Sequence, residues 1–249
     1  MTNEPKPFDD PALQTQLDAF LADKTARIRR LEQDGVAYWA KKPETLSLKW
    51  RLQKGDPAVG FKADMAGLHA LAAAGVPVPV VVAEGPDFVV TRDSGLILSD
   101  LLTQQTGTLE ERTRAMAAAG RELARMHGKG LSHGRPAAKD MCWDGTHLTF
   151  LDFERYSPQR NTMKGHMQDL IIFVHSCFAF AQTNLPEIEA ACAAYRAQDD
   201  KGVWDMAAAW CARKWWLDPL TKPLQWGSRE GAKEFKAIPM TLRAFGVDR

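Results

Sequence analysis

The chain has 249 residues, 45% hydrophobic and 25% charged, with 32 Lys+Arg against 31 Asp+Glu and a formal net charge of +1. That length supports a core without covalent staples, and the near-cancellation of charge gives no field that would draw nucleic acid. The cysteines (Cys142, Cys177, Cys192, Cys211) form no C-x-x-C pair and no His-Cys cluster at zinc spacing, so they read as buried thiols of a reduced, cytoplasmic protein. The opening "MTNEPKPFDD" has no apolar h-region, and no apolar run reaches the roughly 18 residues that a membrane span needs.

From Pro11, Leu13, Leu17, Phe20 and Leu21 recur at helical spacing until Gly35 breaks the pattern. "VAYWAKK" and "TLSLKWRL", separated by Pro43-Glu44, alternate and predict a hairpin, with Leu46, Leu48, Trp50 and Leu52 on one face. "FKADMAGLHALAAAG" predicts a helix closed by Gly75, its stripe formed by Phe61, Met65, Leu68 and Leu71. "VPVVVAEG" and "PDFVVTRD" then supply further strands, the prolines suiting a strand start. The first hundred residues thus read as a small sheet with one helix laid across it.

"TLEERTRAMAAAGRELARMHGKG" predicts a long helix, with Thr108 and Glu111 at capping-box spacing and Gly128 and Gly130 as the stop. Asp144-Gly145, between "MCW" and "HLTFLDF", predicts a tight hairpin. Beyond about residue 164 the pattern is helical. There Trp204, Ala208, Cys211 and Trp215 share one face, and core packing is the default reading of the Trp-rich region. Trp216, Trp226, Arg213 and Lys214 beside them also suit a peripheral membrane contact.

Several residues of one chemical type stand in a suggestive order. Lys49 lies on a strand and Asp64 on the following helix, able to hold that lysine by an ion pair. Asp140 and Asp152 flank a short hairpin as metal-binding carboxylates do, and an acid placed after apolar strand positions, as in "FLDFE", is costly to bury without a partner or metal. A cation for phosphate charge and carboxylates for a divalent ion are what phosphoryl transfer asks of a protein.

The order "LSLK", a helix with an acid, a second pair of strands, then "HGRPAAKD" and "LDFE" resembles the protein-kinase-like fold. It is most similar to the bacterial lipopolysaccharide-core sugar kinases of the Kdo kinase and InaA type, and more distantly to choline and aminoglycoside kinases. The resemblance runs from residue 35 to about 180. It implies an α+β, bilobal architecture: a small antiparallel-sheet lobe with one helix over residues 1–95, a mostly helical lobe over 96–249, and nucleotide between them. It further implies Lys49 as the ligand of the α- and β-phosphates, Asp64 as its holder, His133 as the start of the catalytic loop, Asp152 as a magnesium ligand and Asp169 as the brace of that loop.

The chain departs from the pattern in ways that bear on chemistry. Arg135, followed by Pro136, stands where the catalytic Asp belongs. Asp140 replaces the metal-binding Asn and can still ligate a hard cation, and Glu154 replaces the Gly of D-F-G, a D-F-E seen in choline-kinase-like enzymes. No G-x-G-x-x-G covers the nucleotide. An arginine at the base position can clamp the γ-phosphate or an anionic acceptor bidentately, or it can mark a pseudokinase.

The resemblance therefore implies ATP and Mg2+ as cofactors. It implies phosphoryl transfer to a small-molecule or lipid-linked sugar acceptor such as lipopolysaccharide core, with a non-catalytic binder of nucleotide or a protein partner as the alternative. The expected location is cytoplasmic, extending to the inner face of the membrane. His133 and Asp169 read as structural supports, and His166 and His175 as ordinary helix residues.

Overall fold

Leu13, Leu17 and Phe20 bury one face of helix α1 (Pro11–Ala22), and the Asp10 carboxylate caps it, accepting from the N–H groups of Ala12 at 2.8 Å and Leu13 at 3.3 Å. The computed structural model describes residues 8, 10–44, 57–183, 185–226 and 232–247. By its internal contacts the chain divides into Met1–Ser94 and Gly95–Arg249.

In the first unit an antiparallel sheet follows α1. Strand β1 (Ile28–Gln33) turns through Asp34-Gly35, both in the left-handed region at φ 51° and 75°, into β2 (Val36–Lys41). Asp-Gly is the pair that such a two-residue turn selects. This corrects the hairpin expected from sequence. The partner of "VAYWAK" is β1, and the other edge of β2 is taken by β4 (Phe88–Arg92), which in turn pairs with β3 (Val81–Gly85), giving the order β1-β2-β4-β3. Both edges of β2 are thus paired, and "TLSLKWRL" lies outside the described residues.

Helix α2 (Pro57–Ala73) buries Phe61, Leu68 and Leu71 as the stripe predicts, but Asp64 rather than Met65 completes the buried row. It closes at Gly75, whose φ of 68° suits glycine. The unit's core gathers α1 onto the sheet through Leu13, Leu17, Phe20, Leu31, Ala40, Ala83, Phe88 and Val90.

The second unit opens with β5 (Leu96–Ile97) and a short helix α3 (Leu98–Gln104). Helix α4 (Leu109–Gly128) starts with a complete capping box: Glu111 N–H donates to Thr108 Oγ1 and Thr108 N–H to the Glu111 carboxylate at 2.8 Å. Strands β6 (Met141–Trp143) and β7 (Leu148–Phe150) form the hairpin around Asp144-Gly145, and β5 adds to β6.

The remaining helices are α5 (Met163–Ala181), α6 (Pro186–Gln198), α7 (Val203–Arg213), α8 (Leu217–Gln225) and α9 (Ala232–Ala244). The architecture is thus α+β, with an antiparallel N-terminal sheet and a mostly helical C-terminal part. Helices α4 and α6 approach so closely at Gly120 that a β-carbon there would lie 2.0 Å from the Ala191 carbonyl oxygen. The almost fully buried Glu187 locks the same contact by accepting from Arg112 Nε at 2.8 Å.

Cys142, Cys177 and Cys211 are buried free thiols and Cys192 is half-buried, all pushed towards the inert thiol form where a shift is resolved, chiefly by burial. In the tryptophan-rich region Trp204 and Cys211 are buried, but α7 ends at Arg213, so Trp215 does not continue their face and stands 42% exposed. Core packing therefore describes Trp204 and not Trp215, Trp216 or Trp226. Among the described residues no helix is long and apolar enough to cross a membrane.

Candidate phosphate and cation site

Alternation along the end of β2 sends two adjacent lysines in opposite directions. Lys42 turns into the core, where its ammonium donates to the carbonyls of Phe20 at 2.6 Å, Leu21 at 3.2 Å and Asp23 at 2.5 Å, satisfying the carbonyl end of α1. Lys41 turns the other way and meets the Asp64 carboxylate of α2 at 2.6 Å, with Asp64 only 7% exposed. Asp64 thus holds Lys41, at the end of β2. Lys49 lies outside the described residues.

In the second unit the segment Leu131–Ala137 is a loop between α4 and the short 3-10 turn Ala138–Asp140. Buried loops need partners for their amides, and here Asp169 of α5 provides them. Its carboxylate accepts from His133 N–H at 2.6 Å and from Gly134 N–H at 3.1 Å. The fully buried His133 ring donates from Nε2 to the Leu151 carbonyl at 3.0 Å, leaving Nδ1 to accept from Arg135 N–H at 3.4 Å, and it packs between Phe150 and Phe153. That hydrogen-bonding pattern fixes the tautomer and ties the loop to the end of β7.

Gly134 is at φ 98°, and a β-carbon there would lie 2.2 Å from the Arg155 carbonyl oxygen. Only glycine fits both the conformation and the space. The loop held in this way turns Arg135 outward, exposed, beside the acids described next.

The β6-β7 hairpin brings Asp140 and Asp152 together at its open end, because Leu151 N–H donates to the Asp140 carbonyl at 2.8 Å, one step beyond the Met141 and Phe150 pair. Asp152 sits in the left-handed region at φ 61°, uncommon outside glycine and tolerated by aspartate. Asp140 is 5% exposed, and burial raises its carboxyl affinity for the proton, against the hydrogen bond and charge of Lys139 that pull it down. Lys139 places its ammonium 2.6 Å from Asp140 Oδ1 and 3.9 Å from Asp152 Oδ2.

Would these residues suit a divalent cation? The carboxylates are oxygen donors of the kind Mg2+ takes, and Mg2+ commonly completes its shell with water and phosphate oxygens rather than further side chains. No cluster of three or more His, Cys, Asp or Glu side chains placed for a metal occurs among the described residues, so such outside ligands would be required. Lys139 occupies the space between the acids, but its side chain is 45% exposed and can leave. The pair offers carboxylate oxygens of the type a hard cation takes once Lys139 has moved aside.

Some residues that the sequence does not single out carry charge or hydrogen bonds within each unit, Lys41 in the first and Lys139 and His127 in the second. Lys41 and Lys139 had no distinguishing signal beyond their place beside the motifs. His127 of α4 lies beneath the loop, its Nδ1 2.6 Å from Tyr195 Oη and its Nε2 3.7 Å from Asp169 Oδ2, and it stacks on His166 at 4.8 Å between ring centroids. His166 is therefore part of a buried polar core below Asp169 rather than an ordinary helix residue. Burial, with the neighbouring His127 charge, lowers its pKa to about 4. His175 hydrogen-bonds Thr241 at 3.1 Å and lies 3.3 Å from Glu234.

No family model matches the chain. Over 150 residues it is 35% identical to an uncharacterized protein of Haemophilus influenzae, an alignment that covers 60% of this chain and 62% of that protein. The chain thus matches about three fifths of that relative's length. Among solved structures it is similar to a divergent kinase lacking the glycine-rich loop that regulates membrane ultrastructure of the Toxoplasma parasitophorous vacuole, at 12% identity, 93% of both chains and a TM-score of 0.44.

Proposed function

We propose that the protein is a phosphotransferase that uses ATP and Mg2+ to phosphorylate a hydroxyl group on a sugar or similar small acceptor, with lipopolysaccharide core sugar as the first acceptor to test. The observation that carries this reading is the placing of the Asp140 and Asp152 carboxylates 2.6 Å and 3.9 Å from the single ammonium of Lys139, after a loop whose amides are fixed by Asp169. Preorganised charge of this kind is most of what a loose phosphoryl-transfer transition state requires.

In this reading Asp140 and Asp152 hold the divalent ion, which when bound neutralises phosphate oxygens. Arg135, turned outward by the rigid loop, offers a planar guanidinium to the γ-phosphate or to an anionic group of the acceptor. Lys49 is the residue proposed for the α- and β-phosphates, and Lys41, held by Asp64 in the N-terminal unit, is a second ammonium suited to phosphate charge. The acceptor hydroxyl loses its proton late, so the absence of an aspartate at position 135 slows the reaction without removing its electrostatic basis.

A second reading has its own support. Arginine at the base position and lysine between the acids also suit a protein that binds nucleotide, or a protein partner, without transfer. Melting with and without Mg-ATP tests both nucleotide readings, since ligand at 100 times its Kd adds about 2.7 kcal/mol. No shift rejects both. ATP consumption with candidate acceptors then separates them: turnover abolished by Asp152→Asn supports transfer, and binding with no turnover on any acceptor supports the second reading.

A further inference from the structure

Helix α8 carries its polarity the wrong way round for a surface helix, which normally buries an apolar stripe. Its inward residue is Thr221, 8% exposed, whose hydroxyl donates to the Leu217 carbonyl at 2.6 Å. Beside it Gln225 Nε2 donates to Asp218 Oδ1 at 3.0 Å and Thr221 Oγ1 at 3.1 Å, so the polar side chains satisfy one another on the protein side.

The outward side is apolar. Trp216, Leu220 and Leu224 follow one another at four-residue spacing and are 40%, 64% and 52% exposed; exposed Pro219 and Pro223 fill the adjacent row, and Trp226 ends it at 84% exposure. Single exposed apolar residues are ordinary on a protein surface, but a contiguous row on one helix marks an interaction surface.

The charges around that row identify what it meets. Arg213, Lys214 and Lys222 flank it, and Lys214 Nζ lies 5.8 Å from the ring centroid of Trp210 and 5.5 Å from that of Trp216. The one acid between residues 213 and 226, Asp218, is half-buried and engaged by Gln225. Helix α9, packed on α8, adds Lys233, Lys236 and Arg243 against Glu234, which faces His175 at 3.3 Å. A chain of net charge +1 thus sets cations beside the exposed Trp216 and Trp226. Tryptophan with lysine and arginine on a convex helix is the chemistry of the bilayer interface, where rings sit at headgroup level and cations meet anionic lipid.

We propose that the face formed by Trp216, Leu220, Leu224 and Trp226, flanked by Arg213, Lys214 and Lys222, rests on the surface of a bilayer containing anionic phospholipid. The helix lies in the interface plane and does not enter the hydrocarbon core. This does not depend on the phosphotransferase reading.

The test is co-sedimentation of the full chain with vesicles of phosphatidylcholine alone or mixed with phosphatidylglycerol, at low and high salt, alongside quenching of tryptophan emission by brominated lipid. Expected are binding to the mixed vesicles, weakening in high salt, quenching on binding, and at least tenfold weaker partition for Leu220→Asp/Leu224→Asp. A Lys214→Glu/Lys222→Glu variant should lose binding to the anionic vesicles while leaving the apolar row intact. Absence of binding to the mixed vesicles, or a Leu220→Asp/Leu224→Asp variant that partitions like the parent, overturns the proposal. So does sedimentation equilibrium that reveals a dimer dissociated by that variant with no lipid binding, because the row is then covered by a second copy. Quenching of the unsubstituted chain keeps the question decidable if the aspartate variant fails to fold.

Discussion

The Lys139 ammonium is bonded to Asp140 at 2.6 Å and stands 3.9 Å from Asp152, so the chain places its own cation between the acids proposed to hold a metal. The lysine is 45% exposed, and an ion pair so open to water contributes only ~0.2–1 kcal/mol to folding. Its larger effect is competition: a divalent ion must displace it before both carboxylates are available.

Lys139→Met, which removes the cation beside the buried Asp140, should lower the Mg2+ concentration needed for nucleotide-dependent stabilisation by up to about fivefold, for an ion pair worth ~1 kcal/mol. Thermal melts across a Mg2+ titration at fixed ATP measure this. An unchanged or raised midpoint would show that any metal binds elsewhere.

Asp169 offers a second, structural test. Its carboxylate, 1% exposed, satisfies the amides of His133 and Gly134, and the loop that carries Arg135 depends on them. Hydrogen bonds to a charged group contribute about 1.5–3 kcal/mol each, and a buried amide left without a partner adds its own cost. Asp169→Ala should lower unfolding free energy by about 3 kcal/mol in urea titrations and accelerate amide exchange at His133 and Gly134. Asp169→Asn keeps the volume but turns an NH2 towards donors, so it should recover little of the loss. Stability equal to the parent in both variants would mean the loop is held by other contacts.

The parts of this site that sequence made legible are those specified by local chemistry. Asp144-Gly145 predicts the hairpin that sets Asp140 and Asp152 side by side, and Thr108 with Glu111 predicts the start of α4, because turn and cap preferences act within a few residues. The pairing of Asp64 with Lys41 was not legible: it depends on which strand lies next to α2, and Lys41 and Lys42 look alike until the register of β2 sends one to Asp64 and the other to the end of α1. Asp34-Gly35 was the local signal that would have placed the hairpin correctly. The outward face of α8 was illegible for another reason. Periodicity reveals that a helix is amphipathic, but it does not say which side faces the protein.

His166 gives a pH prediction whose sign is fixed by its burial. In the unfolded chain the imidazole titrates near 6.5, and in the folded protein burial and the His127 charge lower this to about 4. Between those values the unfolded chain binds a proton that the folded chain refuses, so the contribution is intact above about pH 6.5 and is lost as pH falls towards 4. From pH 7 to pH 5 the unfolding free energy should drop by about 2 kcal/mol on this account. His166→Phe, which keeps a ring stacked on His127, should flatten that slope in parallel denaturant titrations. A slope that persists in the variant assigns the proton to another group.

Lys41 and Asp64 allow stability and ligand binding to be separated. Removing the lysine leaves a carboxylate in a residue only 7% exposed, so Lys41→Met should cost about 2 kcal/mol, less than the 3–5 kcal/mol of a fully buried pair because the lysine side chain is 23% exposed. Lys41→Met/Asp64→Leu removes both charges of the pair and should recover most of that stability. If Lys41 serves nucleotide phosphates, the double variant regains its fold but not its affinity, and Mg-ATP stabilises it far less than it does the parent. If the pair is purely structural, fold and nucleotide response recover together. Melting curves of the parent, both single variants and the double variant, each with and without Mg-ATP, separate the two outcomes without requiring a known acceptor.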